Sequence, residues 1–285
     1  MTTTTTPVRY GMTVPFAGPL HAQADRFREL ADLGYTDAWT AEADAHDGLT
    51  PLALASVWAP DLRLGTAILP AFTRGPALLA QSAASLASAA PGRFVLGIGT
   101  SSNVIVERWN GIPFEEPYRR VRDTVRFLRA AFTGEKVTEA FESFDIRGFR
   151  LVDPPEQAPP MVVAALRGGM LRLAGREADG AVVNWLSPTD AGRVSAIVRE
   201  AASAAGRPAP EVAARIFVCP SDDRDRVLAE AKRLVAAYVN VPVYRAFHEW
   251  LGRTDELGEH WELWDAGDRA SSLKAMPDSV VDDLL

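Results

Sequence analysis

Seven short apolar runs, separated by stretches with helical spacing, recur along most of the chain. The runs span 8–16, 37–40, 62–69, 93–99, 161–166, 180–185 and 212–219. They are rich in Val, Ile, Leu and Ala and lack strict polar alternation, the pattern of parallel strands covered on both faces. Between them, Leu20, Ala24, Phe27, Leu30 and Ala31 fall on one helical face, as do Val121, Val125, Leu128 and Phe132. Gly34 and Gly134 stand where helices of this kind stop, and Thr50-Pro51 where one starts. Residues 136–152 break the alternation and suit a β-excursion outside the sheet. From about 222 onward the pattern is helical throughout.

Strand and helix alternating in this way predict an α/β fold of the TIM-barrel-like (β/α)8 type. A closed ring needs eight strands, and the eighth strand and final helix are missing from the pattern. Two bare edges would then remain between the last run and the first. The apolar load of 261–285, with Trp261, Trp264, Val280 and Leu284, predicts helices that partly cover that gap. Residues 8–285 read as one incomplete barrel domain, and MTTTTTP at 1–7 as a floppy tail with neither the basic region nor the apolar core of a signal peptide.

Composition narrows the function classes. Hydrophobic residues are 47% of the 285, enough for a sizeable core, and the net charge of −7 disfavours nucleic acid or anionic membrane as a partner. No run approaches the ~20 apolar residues of a spanning helix. One cysteine, Cys219, excludes an intramolecular disulfide framework and fits a reducing cytoplasm. The four histidines show no metal-ligand spacing, so no metal is expected; no phosphate-cradling Walker loop or Ser-His-Asp arrangement emerges, and Gly97-Ile98-Gly99 is not continued as GxGxxG.

In parallel α/β folds the ligand lies where the carboxyl ends of the strands converge. The candidates are therefore strand ends. Glu42 follows the second run, with His46 a few residues on; Gly99, Thr100, Ser101 and Ser102 close the fourth, with Glu107 beyond as a second carboxylate. Arg167, Gly168, Gly169 and Met170 open a helix after the fifth, and the free N–H groups of a helix start form an anion site. Asn184 and Trp185 end the sixth run, and Phe16 and Trp39 the first and second, as walls of a substrate pocket. Each residue also has a plain structural reading: Glu42 as a partner for Arg74, His46 and Glu107 as solvated residues, Trp185 as core.

The segments GRFVLGIGTSS (92–102) and IVERWNGIPFEEPYRRVRDTVRFLR (105–129) resemble the luciferase-like monooxygenase superfamily, and within it the actinobacterial branch that uses the deazaflavin coenzyme F420. The likeness runs from about Val8 to the end. It implies an oxidoreductase passing a hydride between the deazaflavin and a small-molecule substrate, and a homodimer. It also implies a non-prolyl cis peptide at Ala67–Ile68, after Thr66, backing the deazaflavin ring, with residues 99–102 along the ring and its side chain. Glu42 would be a polar contact or proton donor. Relatives carry an acid followed by histidine at the Glu42 turn, where this chain has Ala43, and Gly-Pro-Lys-Met where it has residues 167–170. Two alternatives stand beside this reading: an FMN-dependent monooxygenase on the same scaffold, and a cofactor-binding or subunit-interaction protein without turnover, which the missing eighth strand and these departures favour.

Overall fold

All seven runs form strands, and each pairs in parallel with the next. The computed structural model describes residues 8–285; the tail expected over 1–7 lies outside them. In chain order the strands are β1 (Gly11–Val14), β2 (Asp37–Thr40), β3 (Arg63–Thr66), β4 (Leu69–Pro70), β5 (Phe94–Gly99), β6 (Val137–Ala140), β7 (Asp145–Phe149), β8 (Met161–Ala164), β9 (Gly180–Asn184) and β10 (Glu211–Arg215). β6 and β7 are the predicted excursion, a separate antiparallel hairpin. The others form one sheet in the order β1-β2-β3-β5-β8-β9-β10, with β4 also on β5.

Six helices alternate with these strands: α1 (Ala24–Asp32), α2 (Thr50–Trp58), α3 (Pro76–Ala89), α4 (Pro117–Ala131), α5 (Gly168–Glu177) and α6 (Pro188–Ala204). They cover the outer face. Ala38, Leu64, Leu96, Val163 and Ala181 alternate to that side and are buried in one cluster with helix residues such as Phe27, Leu52, Leu79, Phe127 and Leu171. Each Val, Leu or Phe among them contributes about 1.5–3 kcal/mol by leaving water.

The inner face is built differently. Strand register aligns Thr13, Trp39 and Gly65, then Val162 with Gly97 and with Gly180, and Ala164 with Val182 and Ala213. Small residues dominate it. A Cβ on Gly11 or Gly65 would lie 2.5 or 2.4 Å from the Trp39 ring, so the indole lies across the interior between two glycines. Beneath it, buried Asp37 receives hydrogen bonds from Arg9 and Arg63, and Arg63 also makes a fork to Glu211 at 2.6 and 2.7 Å. β3 and β10 are four strand spacings apart, about 19 Å in a flat sheet. Side chains can bridge them only because the sheet is curled into an open barrel.

Three expectations are corrected here. The run 62–69 is not one strand but two, β3 and β4, separated by Ala67 and Ile68. The run 212–219 pairs only as far as Arg215, because β9 ends at Asn184, its register partner. The carboxy-terminal helices leave more of the gap open than expected. These are α7 (Arg224–Val239), α8 (Pro242–Leu251), α9 (Thr254–Asp265), α10 (Arg269–Ala275) and α11 (Asp278–Leu284). They pack on one another around Val235, Trp261 and Val280, and on Trp185 beyond β9. Among the described residues no strand joins β10 to β1, and Val8, Tyr10, Ile216 and Val218 along that seam are exposed.

The helical cluster meets the barrel through a capping box. Ser187 caps α6, Asp190 returns the bond, and Arg253 donates to Asp190 at 2.5 Å. Burial would raise the Asp190 carboxyl, but the bonds from Arg253 and Ser187 outweigh it and hold it below the usual range. Beside this pair His248 is fully buried, and neither ring nitrogen has a hydrogen-bond partner among the described residues. Burial, with the Arg253 charge adding to it, lowers its pKa to about 4. The unfolded chain therefore takes up a proton near pH 6.5 that the folded chain refuses until about pH 4. Stability should be full above pH 6.5 and fall by about 3 kcal/mol on acidification through that window. Urea titrations at a series of pH values would show the slope, and His248→Phe should flatten it. An unchanged slope in the variant would refute the assignment.

Candidate active site

The carboxyl ends of β3 and β5 are joined by an irregularity that the apolar pattern does not reveal. Gly65 pairs with Val95 and Leu69 with Ile98, so Thr66, Ala67 and Ile68 stand opposite only Leu96 and Gly97. The peptide bond Ala67–Ile68 is cis, as the resemblance implied, and a second cis bond precedes Pro15. Thr66 replaces the broken ladder: its hydroxyl donates to the Gly97 carbonyl at 2.9 Å and accepts from the Gly97 N–H at 2.8 Å. Opposite, a Cβ on Gly99 would be 2.9 Å from both Ile68 and Ala164. Thr66 is buried, whereas Ala67 and Ile68 remain half-exposed. This bulge is the back wall of the candidate site.

Glu42 lies against it. Its backbone N–H donates to the Ile68 carbonyl at 3.3 Å, and its carboxylate receives Arg74 at 2.6 Å and the Gly48 N–H at 2.9 Å. Glu42 is thus held by Arg74, the structural reading considered for it. The loop is pinned at its far end by Asp47, which accepts from the Leu49 and Thr50 N–H groups. Burial would raise the Asp47 carboxyl; the bonds from Thr50 and Leu49 and the Arg74 charge prevail and keep it low. His46 is exposed on this loop.

After β5 the chain turns through Ser101, at φ 61° in the left-handed region. Thr100 donates to the Ser101 carbonyl, and Ser102 accepts from the Ile105 N–H. A π-helical turn, Val104–Trp109, follows, with Glu107 and Trp109 exposed. After β8, α5 begins without any side-chain cap. Two arginines accompany this helix start: Arg167 at the N-cap, and Arg172, close enough that a Cβ on Gly168 would lie 2.9 Å from its Nη1. Nothing lies within 4 Å of a Cβ position on Gly169, and Met170 packs against the core. Arg172 was not singled out from the sequence. Its position one helical turn after the N-terminus was the available signal.

The remaining candidates are dispersed. Asn184 reaches the inner rim and donates to the Tyr244 hydroxyl at 3.2 Å. Trp185 is only 1% exposed and stacks on Phe217 at 4.3 Å, inside the helical cluster and not in a pocket wall. Phe16 packs on α1, with its ring 5.8 Å from Phe27 and the Arg26 guanidinium 3.9 Å above it. Trp39 lies deeper, across the barrel interior. The structure thus brings together Glu42, residues 66–68 and Gly99, with α5 starting after the neighbouring β8. Among the described residues no group of histidine, cysteine and carboxylate side chains could hold a metal ion, and no helix is long and apolar enough to cross a membrane.

The bulge after β3 and the uncapped start of α5 both lie at the carboxyl ends of the strands, the end at which barrels of this class bind their ligands. The family model for luciferase-like monooxygenases matches residues 2–285. The chain belongs to that family and is an oxidoreductase. It is 33% identical over 265 residues to an uncharacterized protein of Mycobacterium tuberculosis, covering 84% of this chain and 77% of the relative. It is also 33% identical over 192 residues to the F420-dependent glucose-6-phosphate dehydrogenase of Kineococcus radiotolerans, covering 63% and 56% respectively. Among solved structures, the coenzyme F420-dependent tetrahydromethanopterin reductase from Methanopyrus kandleri superposes with a TM-score of 0.80 at 21% identity, over 98% of this chain and 86% of that one.

Proposed function

We propose that the protein is a coenzyme F420-dependent oxidoreductase that transfers a hydride between the deazaflavin and a small organic substrate. The observation that carries this reading is the bulge at 66–68 packed against Gly99, with an uncapped helix start after β8 that has Arg167 and Arg172 beside it. These parts fit a flat ring with a phosphorylated tail. Ile68 and Gly99 offer an apolar, close-packed backing, while the N–H groups of Gly168 and Gly169 with Arg167 and Arg172 offer an anion site.

When bound, the deazaflavin would supply the hydride chemistry. The protein would orient it: the bulge fixes one ring face, residues 99–102 line its edge, and the α5 N-terminus holds the phosphate. Glu42, committed to Arg74, would keep the 41–49 loop against the bulge and exclude water from the reacting face. The substrate would lie on the other ring face, toward Asn184. A cytoplasmic homodimer belongs to the same reading. The single exposed cysteine supports the first part, and the exposed Leu33, Val57 and Leu78 on or beside the neighbouring helices α1, α2 and α3 support the second.

Fluorescence titration tests the cofactor assignment. Deazaflavin should bind with a Kd on the order of micromolar or lower, and FMN about tenfold more weakly. Equal or reversed affinities would transfer the assignment to FMN. Gly169→Asp, whose side chain has room, should weaken the phosphorylated coenzyme by about tenfold or more through like charge at the anion site, and leave its phosphate-free core unaffected. Equal loss for both forms would place the phosphate elsewhere.

A further inference from the structure

The inner face carries two arginines with opposite surroundings. Arg63, on the inward register, is satisfied by Asp37 and Glu211. Arg215 has the same orientation at the other end: it is the register partner of Asn184, two residues beyond inward-facing Ala213. No carboxylate lies within ion-pairing distance of it among the described residues. Its guanidinium instead rests 4.7 Å over the Phe217 ring, which is itself held by the stack on Trp185. A half-buried guanidinium set on an aromatic face keeps its N–H fork available to a ligand.

A second donor adjoins it. Asn184 donates to the Tyr244 hydroxyl, so the tyrosine O–H proton is directed away from that bond. Burial pushes the Tyr244 phenol above its ordinary range, against the Asn184 bond, so it stays protonated at neutral pH. Tyr244 is edge-on to Tyr238 at 5.4 Å, and Tyr238 lies 6.2 Å from Phe217, which ties both donors to one aromatic frame.

We propose that Arg215 is a specificity-determining residue that selects substrates bearing an anionic group, a carboxylate or phosphate, received between its guanidinium and the Tyr244 hydroxyl. The word substrate here rests on the oxidoreductase reading above. The anion would lie on β9 and β10, away from the coenzyme phosphate site at α5.

Calorimetry with inorganic phosphate on the full-length, cofactor-free protein provides the test. Two sites are expected; Gly169→Asp should remove one and Arg215→Gln the other, with Arg215→Lys retaining it at reduced affinity. Saturating deazaflavin should block only the α5 site, and Arg215→Gln should bind deazaflavin within about twofold of wild type. If Arg215→Gln keeps both phosphate sites, or the wild type shows only the α5 site, the proposal is overturned. If Arg215→Gln loses deazaflavin affinity by about tenfold, Arg215 holds the coenzyme tail and the substrate assignment falls. Failure of the wild type to bind deazaflavin would remove the F420 reading, while the phosphate arm would still decide whether Arg215 forms an anion site.

Discussion

Gly97→Ala should lower the melting temperature by roughly 6 to 12 °C, about 3 kcal/mol, and abolish measurable deazaflavin binding. A Cβ at this position would lie 1.8 Å from the Thr66 carbonyl oxygen and 2.9 Å from its carbon. Both atoms are backbone and cannot swing aside. The two hydrogen bonds between Thr66 and Gly97 would break with the displacement, each worth about 1 kcal/mol. The bulge would then lose its position against Gly99. Gly169→Ala, with nothing near its Cβ, is the matched control and should leave stability nearly unchanged. Equal melting temperatures for the two variants would refute the close approach.

Arg63→Met should cost a comparable amount, about 3–5 kcal/mol, through charge and not volume. It strips buried Asp37 of one of two cationic partners and leaves Glu211 without its fork. Asp37 is 1% exposed, and the partner left to it, Arg9, is 40% exposed. Burial would favour the neutral form of Arg63, but the bonds from Glu211 and Asp37 prevail and raise its pKa. The double variant Asp37→Asn/Arg63→Met removes the stranded charge and should recover a large part of the loss. Additive losses in chemical denaturation would show that the pair is uncoupled.

The strands were legible because seven runs, buried on the outside by helices and lined inside by small residues, have few other places to go. The break at Ala67–Ile68 was not legible from periodicity, since both halves of 62–69 are apolar; only the family likeness placed it. The helical cluster was foreseen but its location was not. Apolar content says that Trp261 and Val280 must be covered, while the partner that covers them, Trp185 beyond β9, is set by tertiary packing. The same packing removes Trp185 from the pocket. Glu42 was legible as one half of a pair, with Arg74 named beforehand. Arg215 was overlooked inside an apolar run, although a charge there signals an inward-facing position once its register with Asn184 is known.

The seam between β10 and β1 gives the barrel a flank as well as a mouth. Across that flank no ladder joins the two ends of the sheet among the described residues; β10 is held instead to β3, at their base and through the interior, by the Arg63–Glu211 fork. A hydrogen-bonded ladder would fix the separation of β10 from β1 at one strand width; a pair of long side chains to β3 does not. A ligand seated at the strand ends would therefore have an open side between β10 and β1, through which part of it could reach solvent.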